Sequence, residues 1–363
     1  MADFWDRTLD SGLFLVFGTR PETKLKENSP MGVTIFCLIL GLVTTLAHGA
    51  PAPDVVEKAK AEGKLVWWGG GTEAEDREFI KRFNQKYPFV AVEQWNTSSK
   101  ATQERVWAEF TAKKFSWDVV TGGGRATQDW IKAGIMQKWS VPGLSRLPAE
   151  ARDPNGYYAP FGFNVSIPVY NTQLVSAKDA PKSWDDLLDP KWKGTIAVPD
   201  IMDMWVVFAQ PNVWGKEKTL NYVTRLAANQ PKILAWTPAL TLVGAGDLHI
   251  TAEAFLFRAM ANKEKGAAIE LVKANPLIGK GPKSFLSVNP PHPNAALVWL
   301  DWVYSPEGEK AIDEVLNKGN PAAGSNSRQA QIIKGLRFVY EDDVFYNSSK
   351  EFQQELRNKF GIK

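Results

Sequence analysis

Glycines, hydroxyls and a few charged residues placed where strands end are the groups in this 363-residue chain that could hold a small molecule. Gly70, Gly71 and Thr72 interrupt an apolar run, Leu65-Val66-Trp67-Trp68, and open a helix. Glycine lets backbone approach a ligand closely, and the N–H groups at a helix start favour an anion. The same residues also read as a tight turn and nothing more. Thr97, Ser98, Thr121 and Arg125 stand at two further strand-to-helix junctions. Hydroxyls and a guanidinium there suit a carboxylate, phosphonate or sulfonate. Hydroxyls at such places equally cap helices and turns, and Arg125 equally reads as a solvated surface arginine. Asn164 lies in an extended stretch bent at Gly162 and offers its side chain or its backbone. Asp203 and Trp205 follow another strand: the carboxylate could take an ammonium, the indole could stack on an apolar body. A core position is the ordinary place for most of the 15 tryptophans. Glu253 follows residues 248–252, as a ligand contact or as a helix-start glutamate.

Other chemistries find little footing. There is no G-x-x-x-x-G-K-[ST], no H-E-x-x-H and no G-x-S-x-G. Without a recognisable nucleophile–base pair, no catalytic residue is assigned and no enzyme is expected. Gly69 to Ala74 fits G-x-G-x-x-A, and Glu93 stands at about the distance of a ribose-binding acid. That is the strongest rival signal, from the dinucleotide-dependent enzymes. His249 and His292 are far apart in sequence and read as structural or surface histidines; no metal is expected.

Positioning these groups calls for alternating strands and helices. Residues 65–68, without polar alternation, have the pattern of a strand buried on both faces. Thr72 and Glu75 make an S/T-x-x-E capping box for a helix with Phe79, Ile80, Phe83 and Tyr87 on its apolar stripe. Asp76, Arg77, Lys81 and Arg82 are assigned to its wet side. A strand over 89–95, a helix over about 101–113, a strand over 117–121 and a helix carrying Trp130, Ile131 and Ile135 repeat the unit, which means a parallel sheet flanked by helices. Residues 157–161 and 165–170 are extended with no helix between, as a crossing between two lobes would be. Beyond it, 194–198, 248–252, 267–272 and 284–288 read as strands, with a Gly/Pro-rich link at Gly279, Gly281 and Pro282. Residues 295–303 and 307–316 read as helices, and 331–363 as an amphipathic helical packing segment.

Composition bounds the rest. Hydrophobic content of 44% and charged content of 23% belong to an ordinary globular protein long enough for two cores. The exception is 31–47, an uncharged apolar stretch followed by Ala47-His48-Gly49, the pattern of a signal peptide and its cleavage site. A membrane anchor or buried helix is the alternative. Residues 1–49 are therefore set aside as a leader, and the remainder is expected in the periplasm. Net charge is +3, too mild and dispersed for nucleic acid. The one cysteine, Cys37, falls inside the leader, so the remainder has neither a disulfide nor a thiolate metal site.

Several strings in the chain resemble those of bacterial extracellular solute-binding proteins of ABC importers, in the group that includes ferric-iron-binding proteins. They are Phe83-Asn84-Gln85-Lys86-Tyr87-Pro88, Trp117-Asp118-Val119-Val120, Tyr170-Asn171-Thr172 and the long run from Ala180-Pro181-Lys182-Ser183-Trp184 to Trp192-Lys193-Gly194. Pro291-His292-Pro293-Asn294 and Ser305-Pro306-Glu307-Gly308 complete the set. The resemblance implies an α/β, two-lobed periplasmic-binding-protein fold of type 2, each lobe a mostly parallel sheet flanked by helices and joined by hinge strands. Lobe 1 is expected over 50–160 and 273–330, lobe 2 over 161–272. It implies one small solute gripped between the lobes and delivered to a membrane permease. The mild positive charge and Arg125 tilt the expectation to a small organic anion; a monomer without a cofactor is expected. Relatives that bind ferric iron use adjacent tyrosines after the second-lobe strand. Here Thr251-Ala252-Glu253-Ala254-Phe255-Leu256-Phe257 has none, and Tyr157-Tyr158 lies before the hinge. A ferric binder with another ligand set, or an exported enzyme on the same fold, are the alternatives. A dinucleotide fits poorly with export, where no pool of it is maintained.

Overall fold

The computed structural model describes residues 51–362 apart from 97, 98, 123 and 323, without the side chains of Ser99 and Arg125. The expected leader lies outside the described residues. Helix α1 (Pro53–Glu62) leads to strand β1 (Lys64–Trp68), whose Leu65, Trp67 and Trp68 are fully buried. Helix α2 (Glu73–Lys86) starts at the capping box: the Thr72 hydroxyl accepts the Glu75 N–H while the Glu75 carboxylate accepts the Thr72 N–H. Its buried Phe79 and Phe83 meet Trp299 and Trp302 edge-on at 5.0–5.7 Å, which makes the first core strongly aromatic. Strand β2 (Ala91–Trp95), helix α3 (Ser99–Thr111), strand β3 (Val119–Gly122), helix α4 (Thr127–Lys132) and strand β4 (Met136–Gln137) follow. Strands β2 and β3 flank β1 in parallel, the repeated strand–helix unit of the sequence.

Strand β5 (Tyr158–Pro160) ends the first pass, and β6 (Asn164–Asn171) starts a second sheet after a bend at Gly162. That sheet is completed by β7 (Ile196–Pro199), helices α5 (Asp203–Phe208) and α6 (Gly215–Ala227), β8 (Lys232–Leu234), helix α7 (Trp236–Ala245) and β9 (Ile250–Phe255). Helix α8 (Leu256–Glu264), β10 (Ile269–Leu271) and β11 (Leu277–Lys280) close the pass. The chain then recrosses through Gly281 and Pro282 into β12 (Lys283–Ser287), which runs antiparallel to β3, β4 and β5. Helices α9 (Pro293–Val303) and α10 (Pro306–Leu316) cover the first sheet, and α11 (Arg328–Ile332), β13 (Phe338–Tyr340), α12 (Asp343–Ser348) and α13 (Lys350–Lys359) return to the second.

The fold is thus two-lobed α/β, with sheet orders β2-β1-β3-β12-β4 (β5 on β12) and β13-β11-β6-β9-β7-β8 (β10 on β6). Both sheets are mixed, because the crossing strands β6, β11 and β12 pair antiparallel with their neighbours. Two segments sit differently from the sequence expectation. Strand β11, within the stretch assigned to the first lobe, belongs to the second sheet, and the crossing comes after Lys280. The tail is more than helical packing: β13 joins β11 in parallel and extends the second sheet.

The crossings touch one another. Phe161 N–H donates to Pro282 O at 2.7 Å, and Phe163 N–H donates to Lys318 O at 2.9 Å. A Cβ on Gly281 would stand 2.1 Å from the Gly162 carbonyl oxygen, so two backbones pass here with no room for a side chain. Lys318 lies on a third crossing, between α10 and α11.

Candidate functional site

A cavity of about 390 Å³ lies where the two sheets face each other across the crossings. Gly69, Gly70, Asn96 and Thr121 wall it from the first sheet; Asp203, Trp236 and Phe255 wall it from the second. Asn164, Lys280, Lys283 and Lys318 come from the crossings, Glu341 and Tyr346 from the tail. The strands of an open α/β sheet end at such clefts, which is where ligands bind.

The glycine lip is built differently from its sequence reading. Asp76, assigned to the wet side of α2, is 1% exposed. Its carboxylate accepts the Gly71 N–H at 2.7 Å, the Gln94 amide at 2.8 Å and the Asn96 amide at 2.8 Å. Burial pushes this carboxyl up, and the Gly71 and Asn96 donors pull it back. Gly69 N–H is spent on Trp95 O and Thr72 N–H on Glu75, so the lip's donors serve the protein. Only the Gly70 N–H has no partner among the described residues. Gly70 is held at φ 134, where a Cβ would strike Asp76. Gly71 and Thr72 stand back from the cavity wall, Thr72 as the cap of α2. Thr121 reaches the cavity, its hydroxyl accepting from the Trp67 indole at 2.8 Å. Thr97 and Ser98 lie outside the described residues. Arg125 belongs to the turn Gly124–Ala126 after β3, and its side chain is not among those described.

On the second sheet, Asp203 opens α5 and faces the cavity. One carboxylate oxygen takes Lys280 Nζ at 3.0 Å, the other the Tyr346 hydroxyl at 2.6 Å, so the charge offered to an ammonium is already engaged. Trp205 is a correction. Two residues along a helix point to different sides, and Trp205 is fully buried between Trp184, Phe208 and Tyr222. Glu253 sits within β9 rather than at a helix start, buried behind the Trp236 and Phe255 wall. Ser166 donates to its Oε1 at 2.6 Å, and burial pushes its carboxyl up, with the Lys280 charge and the Ser166 and Trp236 donors pulling it back. Asn164 lines the cavity, its Oδ1 buried and without a partner among the described residues.

Three lysines and one glutamate went unread in the sequence. Lys280 stays charged: burial opposes its charge, but Asp203, Glu253 and Glu341 outweigh it, and the ammonium sits 4.9 Å over the Trp236 ring. Lys283 is paired with Asp343, which also accepts the Tyr158 hydroxyl at 2.5 Å. Lys318 differs from both. No carboxylate of the described residues comes within 4.0 Å of it; it leans on the Phe257 ring at 5.2 Å. Burial depresses its basicity, with Glu75 and Asp76 only partly offsetting this. Glu341 is the opposite case, a carboxyl pushed up to about 7 by burial, with its nearest cation, Lys283 Nζ, 3.9 Å away. The one sequence signal was Lys280-Gly281-Pro282-Lys283, two cations flanking a link between extended segments.

The remaining histidine signal is structural: His292 N–H and ring both meet the buried Asp118, at 2.6 and 2.9 Å. Among the described residues, no group of three or more His, Cys, Asp or Glu could hold a metal ion. Glu93 pairs with Lys64 on the surface at 2.7 Å.

Known proteins supply the context for this geometry. The structure is similar to a Trichodesmium IdiA (FutA) protein in complex with iron and citrate, with TM-score 0.68, 18% identity and coverage of 83% of this chain and 100% of that one. It is similar also to the periplasmic binding protein AfuA of Actinobacillus pleuropneumoniae with fructose-6-phosphate bound, with TM-score 0.61, 19% identity and coverage of 83% and 99%. In sequence it is 30% identical over 190 residues to a Salmonella typhi periplasmic protein named for 2-aminoethylphosphonate binding, covering 51% of this chain and 52% of that one. The chain therefore spans about half the length of that relative. An uncharacterized Haemophilus influenzae protein is 26% identical over 300 residues, covering 75% of this chain and 81% of its own length. Residues 116–327 match the family of bacterial extracellular solute-binding proteins, and with more than half of its length in that match the chain belongs to this family.

Proposed function

We propose that this chain, the solute-binding component of an ABC transporter, captures a small organic anion in the cleft between its sheets: a carboxylate, phosphonate or sulfonate. The observation that carries this reading is Lys318. A part-buried ammonium with no carboxylate in reach among the described residues is costly, and the cost falls when an anion arrives. Lys280 and Lys283 already have carboxylates; Lys318 has none within reach among the described residues. On the same cavity wall, the Gly70 N–H and the Thr121 hydroxyl can orient an anionic head, whereas the Asn96 amide is already spent on Gly71 O and Asp76. The relatives named for 2-aminoethylphosphonate make that solute the first candidate.

In this reading the lobes rotate about the three crossings, and the solute favours the closed form because only there do both walls touch it. A membrane permease then reads the closed form as occupied. Export through the apolar segment 31–47 delivers the protein to the periplasm, and it works there as a monomer without a cofactor. The roles of Asn164, Thr121 and Gly70 as contacts belong to this proposal.

The test is thermal unfolding of the purified protein against small carboxylates, phosphonates and sulfonates. A ligand at about 100 times its Kd adds about 2.7 kcal/mol to the stability of the folded state. At least one anion is expected to raise the melting temperature in a saturable way. A rise with neutral sugars or ferric ion, and none with any anion, overturns the reading.

A further inference from the structure

We infer that Glu341 receives a cationic group at the other end of the solute, so that the cleft selects amino-anions over plain anions. This rests on the anion reading above and deepens it. The carboxyl lies on the cavity wall, immediately after β13, the strand that the tail adds beside β11. That places it beyond residues 116–327, in a segment the family match does not cover.

Pairing among the charged groups of the wall singles it out. Asp203 has Lys280 and Tyr346; Asp343 has Lys283 and Tyr158. Among the described residues Glu341 has no cation within hydrogen-bond distance: Lys283, at 3.9 Å, is committed to Asp343, and Lys280, which also favours its charge, is committed to Asp203. Among the described residues the cavity therefore keeps two groups whose charge is incompletely answered, one ammonium (Lys318) and one carboxyl (Glu341). A zwitterion answers both at once; a plain anion answers Lys318 alone and leaves Glu341 as it was.

A proton follows from this. The groups around Glu341 are Lys283 and Lys280, which favour its charge, and Asp343 and Asp203, which oppose it. Burial outweighs the lysines, and the carboxyl is pushed up to about 7. An incoming ammonium favours the ionised form, so binding expels a proton wherever the empty site is protonated. Affinity for an amino-anion then falls as pH drops through neutrality, while affinity for the anion lacking the amine does not follow Glu341.

Titration calorimetry on the purified full chain decides it, with three matched pairs as probes: 2-aminoethylphosphonate and ethylphosphonate, β-alanine and propionate, taurine and ethanesulfonate. The carboxylate and sulfonate pairs carry the pH comparison, because their own charges hold steady between about pH 6 and pH 8. In the wild type the amino member of at least one pair is expected to bind about tenfold or more tighter at pH 8, the range of one charge-assisted hydrogen bond. That preference shrinks at pH 6. In Glu341→Gln the ratio moves towards one and loses its pH dependence, with the unfolding transition confirming a folded variant. A wild-type ratio near one overturns the inference while leaving the anion reading intact. So does a ratio that Glu341→Gln leaves unchanged. If no member of any pair binds while another small anion does, this inference is overturned and the anion reading stands; if no anion of the wider set binds either, both fall.

Discussion

Lys318 and Glu341 each hold a charge that burial opposes, and both effects can be measured. Lys318 titrates below the ordinary lysine range because burial opposes its charge, so its charged form weakens the unliganded fold. Lys318→Met keeps the stem packed on Phe257 and removes the charge. The empty variant is expected to melt higher than the wild type, by about 2 °C for each kcal/mol relieved. A lower melting temperature contradicts the assignment of an unpaired cation. Glu341 runs in the other direction along the pH scale. Its folded carboxyl titrates at about 7, against about 4.3 in an unfolded chain. Between those values the folded state holds a proton that the unfolded state has lost, so stability declines as pH rises from about 4 to about 7. Glu341→Gln removes that decline. Melts of the wild type and variant are expected to converge near pH 4 and diverge at pH 8, the variant being the more stable there.

At the scale of elements, the two neighbouring α5 residues Asp203 and Trp205 separate binding from folding. Asp203 faces the cavity, whereas Trp205 fills the second core. Trp205→Ala is expected to lose about 3–5 kcal/mol of stability, the usual cost of deleting a buried aromatic. Chemical denaturation measures this, and a loss below about 1 kcal/mol places the indole outside the core. Gly281→Ala tests the crossing: its Cβ has backbone 2.1 Å away, so the two strands must part and closure must suffer. The local elements were largely legible. The strand over 65–68, the capping box at Thr72 and the stripe of Phe79 and Phe83 depend on neighbours a few residues away, and periodicity reports such neighbours directly. Asp76 was misread because a charged residue on a helix usually faces water; here three N–H donors from a glycine turn and two amides satisfy it in the interior. Lys280, Lys318, Glu341 and Tyr346 were not legible for another reason. They reach the cleft through long-range pairing of β11 with β6 and β13 and through an irregular crossing, which no local pattern encodes.

For the molecule as a whole, three crossings tie the lobes together near Gly162, Gly281 and Lys318, and the cleft opens beside them. In the proposed reading, the ammonium that anchors the anion is carried by a crossing rather than by either sheet. The proposal predicts that a solute docks on Lys318 first and that closure adds contacts with Trp236 and Phe255, which line the cavity from the second sheet. The membership in a solute-binding family and the two-lobed architecture fit this order of events. The measurement that tests the central claim most directly is calorimetric titration of the wild type and Lys318→Met with the same anion. Affinity is expected to fall about 30-fold or more in the variant, equivalent to about 2 kcal/mol, with the fold intact. An unchanged Kd for that anion in Lys318→Met contradicts it.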